Sequence, residues 1–195
     1  MKLKERSCKY CKHRFTPERA GQIICSNVDC AIGWSEKLAS KRANMVAKAD
    51  RKVTRERKEK LKRHSDYIKE TQIVFNRYIR LRDIDAGCIS CGVSFSDSKV
   101  GGSFDAGHYL SRGARPNLRF VDSNVHGQCK RCNMYLGGNV ANFRDGLINR
   151  IGLNAVIALE SDHEPRKYTI DQLKELKKHY ARKCKDLVKL REIAC

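Results

Sequence analysis

Four cysteines, Cys88, Cys91, Cys129 and Cys132, form two Cys-x2-Cys pairs, and the segment they enclose carries Asp105, His108 and Asn124. Asn133 follows directly on the last cysteine. Thiolates paired at that spacing are the donors of a tetrahedral structural Zn²⁺, which is scaffold rather than chemistry. Imidazole, carboxylate and carboxamide groups held on such a scaffold have a different use. A neutral histidine can move a proton, and oxygen donors suit a hard cation. In a strongly basic chain the constellation reads as a metal-dependent nuclease site.

The charge supports that reading. Lys and Arg number 41 against 22 Asp and Glu, a formal net charge of +19. Such an excess implies a polyanionic partner, most often nucleic acid, bound largely through counterion release. No long apolar run or lipidation signal points to a membrane. The Lys-rich N-terminus lacks the apolar core of a secretory signal peptide. The expected compartment is therefore intracellular, where cysteines stay reduced and available to metal. With 195 residues, 3 prolines and 7% aromatics, one large sandwich or barrel is not suggested. One ordinary domain or two small stapled ones is expected.

A second cysteine group lies near the N-terminus: Cys8-x2-Cys11, thirteen residues, then Cys25-x4-Cys30. It predicts a second structural zinc site in a zinc ribbon or short treble clef spanning 1–34. Phe15, Ile23 and Ile24 would supply its small core, with the metal doing most of the folding work. His13 is an alternative ligand, four thiolates the simpler set. From 35 to 65 the composition changes. Residues 36–63 contain 12 Lys/Arg and 4 Asp/Glu, no Gly and no Pro, which predicts a long exposed basic helix. The competing reading is a solvated linker helix that touches no DNA.

The third segment, 66–139, opens with an amphipathic helix. Tyr67, Val74, Tyr78 and Leu81 recur at helical spacing, flanked by Ile68, Phe75 and Ile79. Ser65 is its expected N-cap, with Asp66 and Glu70 in the opening turns. Strand-like pieces follow at 104–109 and 118–121, joined by a loop with Gly113 and Pro116, and a helical pattern begins near Cys129–Cys132. Gly92 suits the left-handed backbone that a Cys-Ile-Ser-Cys-Gly turn needs. The last segment, 140–195, is helical. Its stripes are Val140–Ile151 with Gly152 as stop, a short helix over 153–160, and a final helix to about Leu190 opened by a Thr169/Gln172 capping box. Along it, Leu173, Leu176, Tyr180, Cys184 and Leu187 form one face, which makes Cys184 a core residue; Cys195 reads as a loose terminal thiol. The fold class is α+β, built from small zinc-stabilised modules.

The order His108, Asn124, Asn133 inside a four-cysteine frame is similar to the HNH endonucleases, in a variant whose last histidine is asparagine. That resemblance implies a ββα-metal core stapled by treble-clef zinc. It gives His108 the role of general base, Asn124 that of the brace across the ββ loop, and Asn133 that of ligand to a catalytic Mg²⁺ or Mn²⁺. The second ligand of that family normally precedes the base, where this chain has Gly107. Asp105 is the nearest carboxylate. On a regular strand it points away from His108's face, so a kink at Gly107 is expected. The wider pattern includes Phe75-Asn-Arg-Tyr-Ile-Arg-Leu-Arg-Asp83, Cys88-Ile-Ser-Cys-Gly92, Asp105-Ala-Gly-His-Tyr109, Asn124-Val-His-Gly-Gln-Cys129 and Cys132-Asn133 with Gly138-Asn139. It resembles the NinG (Rap) recombination proteins of lambdoid phages over nearly the whole chain. That family implies a structure-specific endonuclease acting on branched DNA, Holliday junctions and D-loops, leaving 5′-phosphate and 3′-hydroxyl ends. It also implies a phage or prophage origin, a place in the cytoplasm of the bacterial host, and phage or host recombination proteins as further partners.

Around the site, Arg80, Arg82, Arg112, Arg115, Arg119 and Asn139 are candidate DNA contacts, with solvated loop charge or, for Asn139, helix capping as the plain alternatives. His126 reads as packing or phosphate contact, and His64, His163 and His179 as surface residues. Two symmetrical cuts in a junction favour a homodimer, for which the Leu173–Leu187 stripe is one surface unless it folds back on the chain. Two other functions fit the same residues: a non-catalytic zinc-dependent DNA-binding adaptor, and a sequence-selective HNH restriction-type nuclease.

Overall fold

The computed structural model describes residues 3–95 and 104–194; Cys195 lies outside the described residues. The chain divides into two compact units, 1–61 and 62–195.

In the first unit, β1 (Arg6–Ser7) pairs antiparallel with β2 (Arg14–Phe15), and the Cys8–Cys11 turn joins them. A single helix follows, α1 (Val28–Lys60). It begins well before the expected residue 35, because the Asn27 side-chain oxygen accepts the N–H groups of Asp29 at 2.7 Å and Cys30 at 3.3 Å, satisfying donors that a helix start leaves free. Cys30 therefore sits in the first turn of the basic helix, and the expected boundary at 34 falls inside one element. A Cβ on Gly33 would overlap the Tyr10 ring; the glycine lets that ring lie against the helix. Beyond this point α1 buries nothing, and Leu38, Met45, Val46, Val53 and Leu61 are all exposed. Phe15, Ile23 and Ile24 are not the core expected of them. The buried residues here are Cys8, Pro17, Cys30 and Gly33, so the cysteines themselves are the centre.

The second unit starts with α2 (His64–Asp83). Its start is fixed by the Asp66 carboxylate, which accepts the Arg63 N–H at 2.9 Å, so Ser65 lies in the first turn rather than at the cap. The central hairpin follows: β3 (Phe104–His108) antiparallel to β4 (Val125–Cys129), with Phe104 opposite Cys129 and His108 opposite Val125. The strand expected at 118–121 is absent. Pro116, which donates no N–H, opens a 3₁₀ turn through Leu118, and a second such turn covers Asp122–Asn124. Leu118 and Phe120 mimic strand alternation while both are buried from turns. The true partner strand, Val-His-Gly-Gln-Cys, is covered on both faces over its first four residues, so no polar alternation marks it.

Three helices complete the unit: α3 (Val140–Ile151), α4 (Leu153–Ser161) and α5 (Ile170–Ala194). Thr169 and Gln172 form the expected reciprocal cap on α5. The α5 stripe packs on α2: Leu173, Tyr180 and Cys184 join Phe75, Tyr78, Ile79, Phe120 and Val125 in one core. Phe75 meets Phe120 and Tyr180 edge-on, with centroids 5.7 and 4.8 Å apart. The stripe proposed for dimerisation is thus spent within the unit, and residues 140–195 belong to the same body as the central segment. Ile89, Tyr109, Phe143, Leu147 and Val156 form a second cluster under α3 and α4. Phe95 and Phe104, stacked at 3.8 Å, pack with Cys88 and Cys132 in a third.

One carboxylate holds these layers in register. Asp83, 4% exposed at the end of α2, accepts the Gly127 N–H of β4 at 2.7 Å and two N–H groups of Arg82 at 2.6 and 2.9 Å. His126 and Arg150 approach within 3.6 and 3.7 Å. Burial would raise this acid, but the Arg82 and His126 hydrogen bonds and the Gly127 N–H outweigh it and hold it far below the usual carboxylate range. Removing one partner of such a buried ion pair strands the other. Asp83→Ala is expected to cost about 3 kcal/mol, read as a lower midpoint in urea at unchanged zinc content.

Candidate functional site

Both cysteine groups close as the spacing predicts. In each set the four sulfurs lie within 4.8 Å of one another. Cys11 and Cys25 sulfurs are 3.9 Å apart, those of Cys91 and Cys129 3.8 Å. Sulfurs at the corners of a tetrahedron with Zn–S of about 2.3 Å stand about 3.8 Å apart, so both donor sets fit Zn²⁺. The His13 ring belongs to neither group.

The two Cys-x2-Cys turns share one backbone design. In the first, Cys8 N–H donates to the His13 carbonyl and Lys12 N–H to the Cys8 carbonyl; in the second, Cys88 N–H donates to Val93 and Gly92 N–H to Cys88. The fourth residue after the leading cysteine has positive φ in both, Lys12 at 66° and Gly92 at 72°. Backbone N–H groups also aim at sulfur, from Cys25 to Cys8 at 3.4 Å and from Cys129 to Cys88 at 3.3 Å. Against burial, these donors pull the Cys8 thiol down to about 6 and lower Cys88. Burial and the neighbouring thiols push Cys30 and Cys129 up to about 12. Clustered thiols cannot all ionise alone; a divalent cation removes that conflict.

The hairpin carries the remaining candidates. Asn124 is fully buried. Its side-chain oxygen accepts the Leu110 N–H at 2.9 Å and its amide donates to the carbonyls of Leu110 at 3.0 Å and Leu118 at 3.2 Å. Asn124 thereby ties both ends of the β3–β4 loop. Asn133 stands in a π-helical turn, Arg131–Tyr135, a geometry frequent at functional sites. Its amide donates to the Asp105 carboxylate at 3.2 Å, so two groups 28 residues apart meet. With the amide turned, both present hard oxygens, a donor pair that fits Mg²⁺ or Mn²⁺. Asp105 also acts on the charge of Arg80, whose buried Nε–H has no hydrogen-bond partner among the described residues.

The expected kink at Gly107 is not there. β3 and β4 pair without interruption at all five positions, so strand parity sets Asp105 with Gly107 and His108 with Ala106. The gap at Gly107 has its own cause. A Cβ there would collide with the Gln128 side chain, whose amide donates to Ser90 Oγ at 2.8 Å and the Gly138 carbonyl at 2.6 Å. His108 Nε2 donates to the Arg119 carbonyl at 3.1 Å. Burial lowers this histidine most, the Arg119 carbonyl opposes it, and the charges of Arg112 and Arg119 lower it further, to about 4. The ring is neutral at pH 7.

Other candidates have different surroundings. Arg82 is internal: besides Asp83 it donates to the Asp122 and Val125 carbonyls at 3.0 and 2.7 Å and approaches His126 Nδ1 at 3.1 Å. Arg115 holds the Glu160 and Asp162 carbonyls and the His163 ring. Asn139, at φ 45°, is the N-cap residue of α3 and donates to Cys132 Sγ at 3.6 Å. Arg112 is exposed and Arg119 half-buried. His126 is buried between Asp83, Arg82, Arg150 and Phe143. Nothing in the sequence singled out Asp83 or Gln128, because their partners are distant backbone groups. A groove of about 510 Å³ beside the second cysteine turn is lined by Cys88, Ser90, Asn142, Asp145 and Arg150 and includes none of the hairpin candidates or the candidate DNA contacts.

Comparison with known proteins decides the family. The family model described as "Bacteriophage Lambda NinG protein" matches residues 1–192. The chain belongs to the NinG family. It is 38% identical to protein ninG of Salmonella phage P22 over 199 residues, covering 95% of each chain. It is 37% identical to protein ninG of Escherichia phage lambda over 195 residues and 36% to that of Escherichia phage 933W over 196, each covering 93% of both chains. No solved structure matches. Among the described residues no helix is long and apolar enough to cross a membrane. With both groups filled, the chain should carry two zinc ions. A zinc-release assay after thiol modification is expected to count two, and one each for Cys132→Ser and Cys30→Ser; one or none in the unaltered protein would refute the second site.

Proposed function

We propose that the chain is a metal-dependent DNA endonuclease of phage recombination that cleaves branched DNA, with four-way junctions and D-loops as substrates. The observation that carries this reading is the meeting of Asn133 with Asp105 in a hairpin that Asn124 braces and four cysteines clamp. The HNH likeness of the sequence assigns these groups their roles, and the charge of +19 suits the polyanion.

Asp105 and Asn133 would hold Mg²⁺ or Mn²⁺, which supplies charge neutralisation at the phosphoryl oxygens and the leaving oxygen. The HNH likeness gives His108 the proton of the attacking water; regular pairing sets its ring on the strand face opposite Asp105, and the His108→Ala variant below tests whether it serves this metal. Its contact with the Arg119 carbonyl fixes Nε2–H and orients the ring, and its low basicity keeps it unprotonated. Arg80 offers an unpaired N–H next to Asp105, and Arg112 and Arg119 add positive charge around His108. Arg112 and Arg119 suit phosphate contacts, whereas the Arg80 Nε–H is buried and Arg82 and Arg115 serve the fold. The bare basic surface of α1 adds non-specific grip. Two copies acting on one junction would make the paired cuts, in the cytoplasm of the host cell.

Purified protein incubated with a four-way junction and with linear duplex is expected to cut the junction when Mg²⁺ or Mn²⁺ is added, leaving 5′-phosphate ends. Absence of cleavage with every divalent metal, at full junction affinity, would favour the non-catalytic adaptor; cutting at fixed duplex sites would favour a restriction-type enzyme. His108→Ala should lower cleavage by at least about 100-fold and leave junction binding intact. The pH sign follows from the depressed value. The active neutral imidazole persists as pH falls until about 4, so the acid limb of kcat/KM should lie below the ordinary histidine value of about 6.5. A limb at or above that value would remove His108 from the base role.

A further inference from the structure

Directly after Asn133 the chain exposes three large apolar side chains in a row. Met134, Tyr135 and Leu136 are 63%, 80% and 49% exposed, although they lie within a few residues of a cysteine that is almost fully buried. Isolated exposed apolar residues need no explanation, but a contiguous apex does.

This apex is rigid. Leu136 N–H donates to the Arg131 carbonyl at 3.0 Å, Gly138 N–H to Cys132 at 3.0 Å and Asn139 N–H to Leu136 at 2.8 Å. Gly137 and Gly138 take φ of +58° and +88° to turn the chain back, and Gln128 grips the Gly138 carbonyl. Its base is anchored at Cys132, one of the four clustered cysteines. Side chains presented from such a turn lose little freedom on contact.

Charge identifies the occupant. Lys130 and Arg131 precede the apex by a few residues, across Cys132 and Asn133, and are exposed, and no acidic residue occurs between Asp122 and Asp145 in the sequence. A second copy of the same surface would bring like charges together. A polyanion that also offers flat apolar faces is the complementary partner, and that description fits nucleic-acid bases left unstacked at a branch point. Continuous duplex hides those faces.

We infer that Met134, Tyr135 and Leu136 form a wedge that stacks on exposed bases at a DNA branch point, next to the Asp105–Asn133 pair, and so sets the preference for branched over linear DNA. The inference rests on the DNA-cleaving reading for its substrate but not on catalysis. The wedge selects where the backbone is presented; Tyr135 is a specificity residue and touches no reacting atom.

The test uses the full-length zinc-loaded protein without added Mg²⁺ or Mn²⁺. A four-way junction carries 2-aminopurine at the branch point, and a linear duplex carries it at the same sequence position. Binding of unaltered protein is expected to change the probe's emission in the junction and not in the duplex. Tyr135→Ala should abolish that change and weaken junction binding about tenfold, with duplex affinity, zinc content and helical circular dichroism unchanged. Tyr135→Phe should keep both the signal and the affinity. Equal loss on junction and duplex, or an unaltered branch-point signal in Tyr135→Ala, would overturn the wedge. A change of oligomeric state in sedimentation on Tyr135→Ala would also overturn it, by assigning the apex to self-association. Failure of the protein to bind any junction removes the wedge and its substrate together. A normal branch-point signal without cleavage under Mg²⁺ removes only the catalytic reading.

Discussion

The second unit is organised around the Asp83 carboxylate. It closes α2, receives the β4 backbone at Gly127, and gathers Arg82, His126 and Arg150 around a buried negative charge. Helix, strand and the α3 layer therefore meet at one ionic point rather than through apolar surface alone. Gly127 belongs to this arrangement, since a Cβ there would press on Asp83, Phe95 and Phe104. With α2 fixed against β4, Arg80 one turn earlier falls near Asp105, and the hairpin is set for Asn133 to reach the same carboxylate.

The cysteine clusters act at a different level. Each joins a tight turn early in its unit to a helical turn much later. In the first unit this is nearly the whole of the packing, because beyond Gly33 α1 buries nothing. In the second, the metal-type cluster shares the work with the aromatic contacts of Phe75, Phe120 and Tyr180. The first unit thus keeps the long basic surface of α1 free, which a chain this small stabilised only by hydrophobic burial could not do.

Much of this was legible in the sequence. Cysteine spacing marks both clusters because ligand geometry is local, and α2 to α5 announce themselves by periodicity, with the Thr169/Gln172 cap marking the start of α5. Gly92 reveals its turn because positive φ narrows the choice of residue. The failures share a cause. β4 has no alternating pattern since both its faces are covered, and Leu118 with Phe120 imitates a strand from consecutive turns. Arg82 looks like one more basic residue until Asp83, Asp122 and Val125 are seen to consume its donors. Asp105 and Asn133 were named as a pair through family likeness, and the kink invoked for Asp105 proved absent because the ladder stays regular through Gly107.

That regular ladder has a consequence for how such a chain can change. Gly107 and Gln128 occupy one shared volume from two strands, and Gln128 in turn holds Ser90 and Gly138. Position 107 cannot gain a side chain while Gln128 keeps this conformation. A lineage that gained a side chain at 107 would first have to shorten residue 128, and the loops at 90 and 138 would then need new anchors. The simultaneous change of several distant positions is a steep barrier to single mutational steps. A side chain at 107 should therefore occur together with a shorter or redirected residue at 128, whereas a shorter residue at 128 is compatible with Gly107 and loosens only the anchors at 90 and 138.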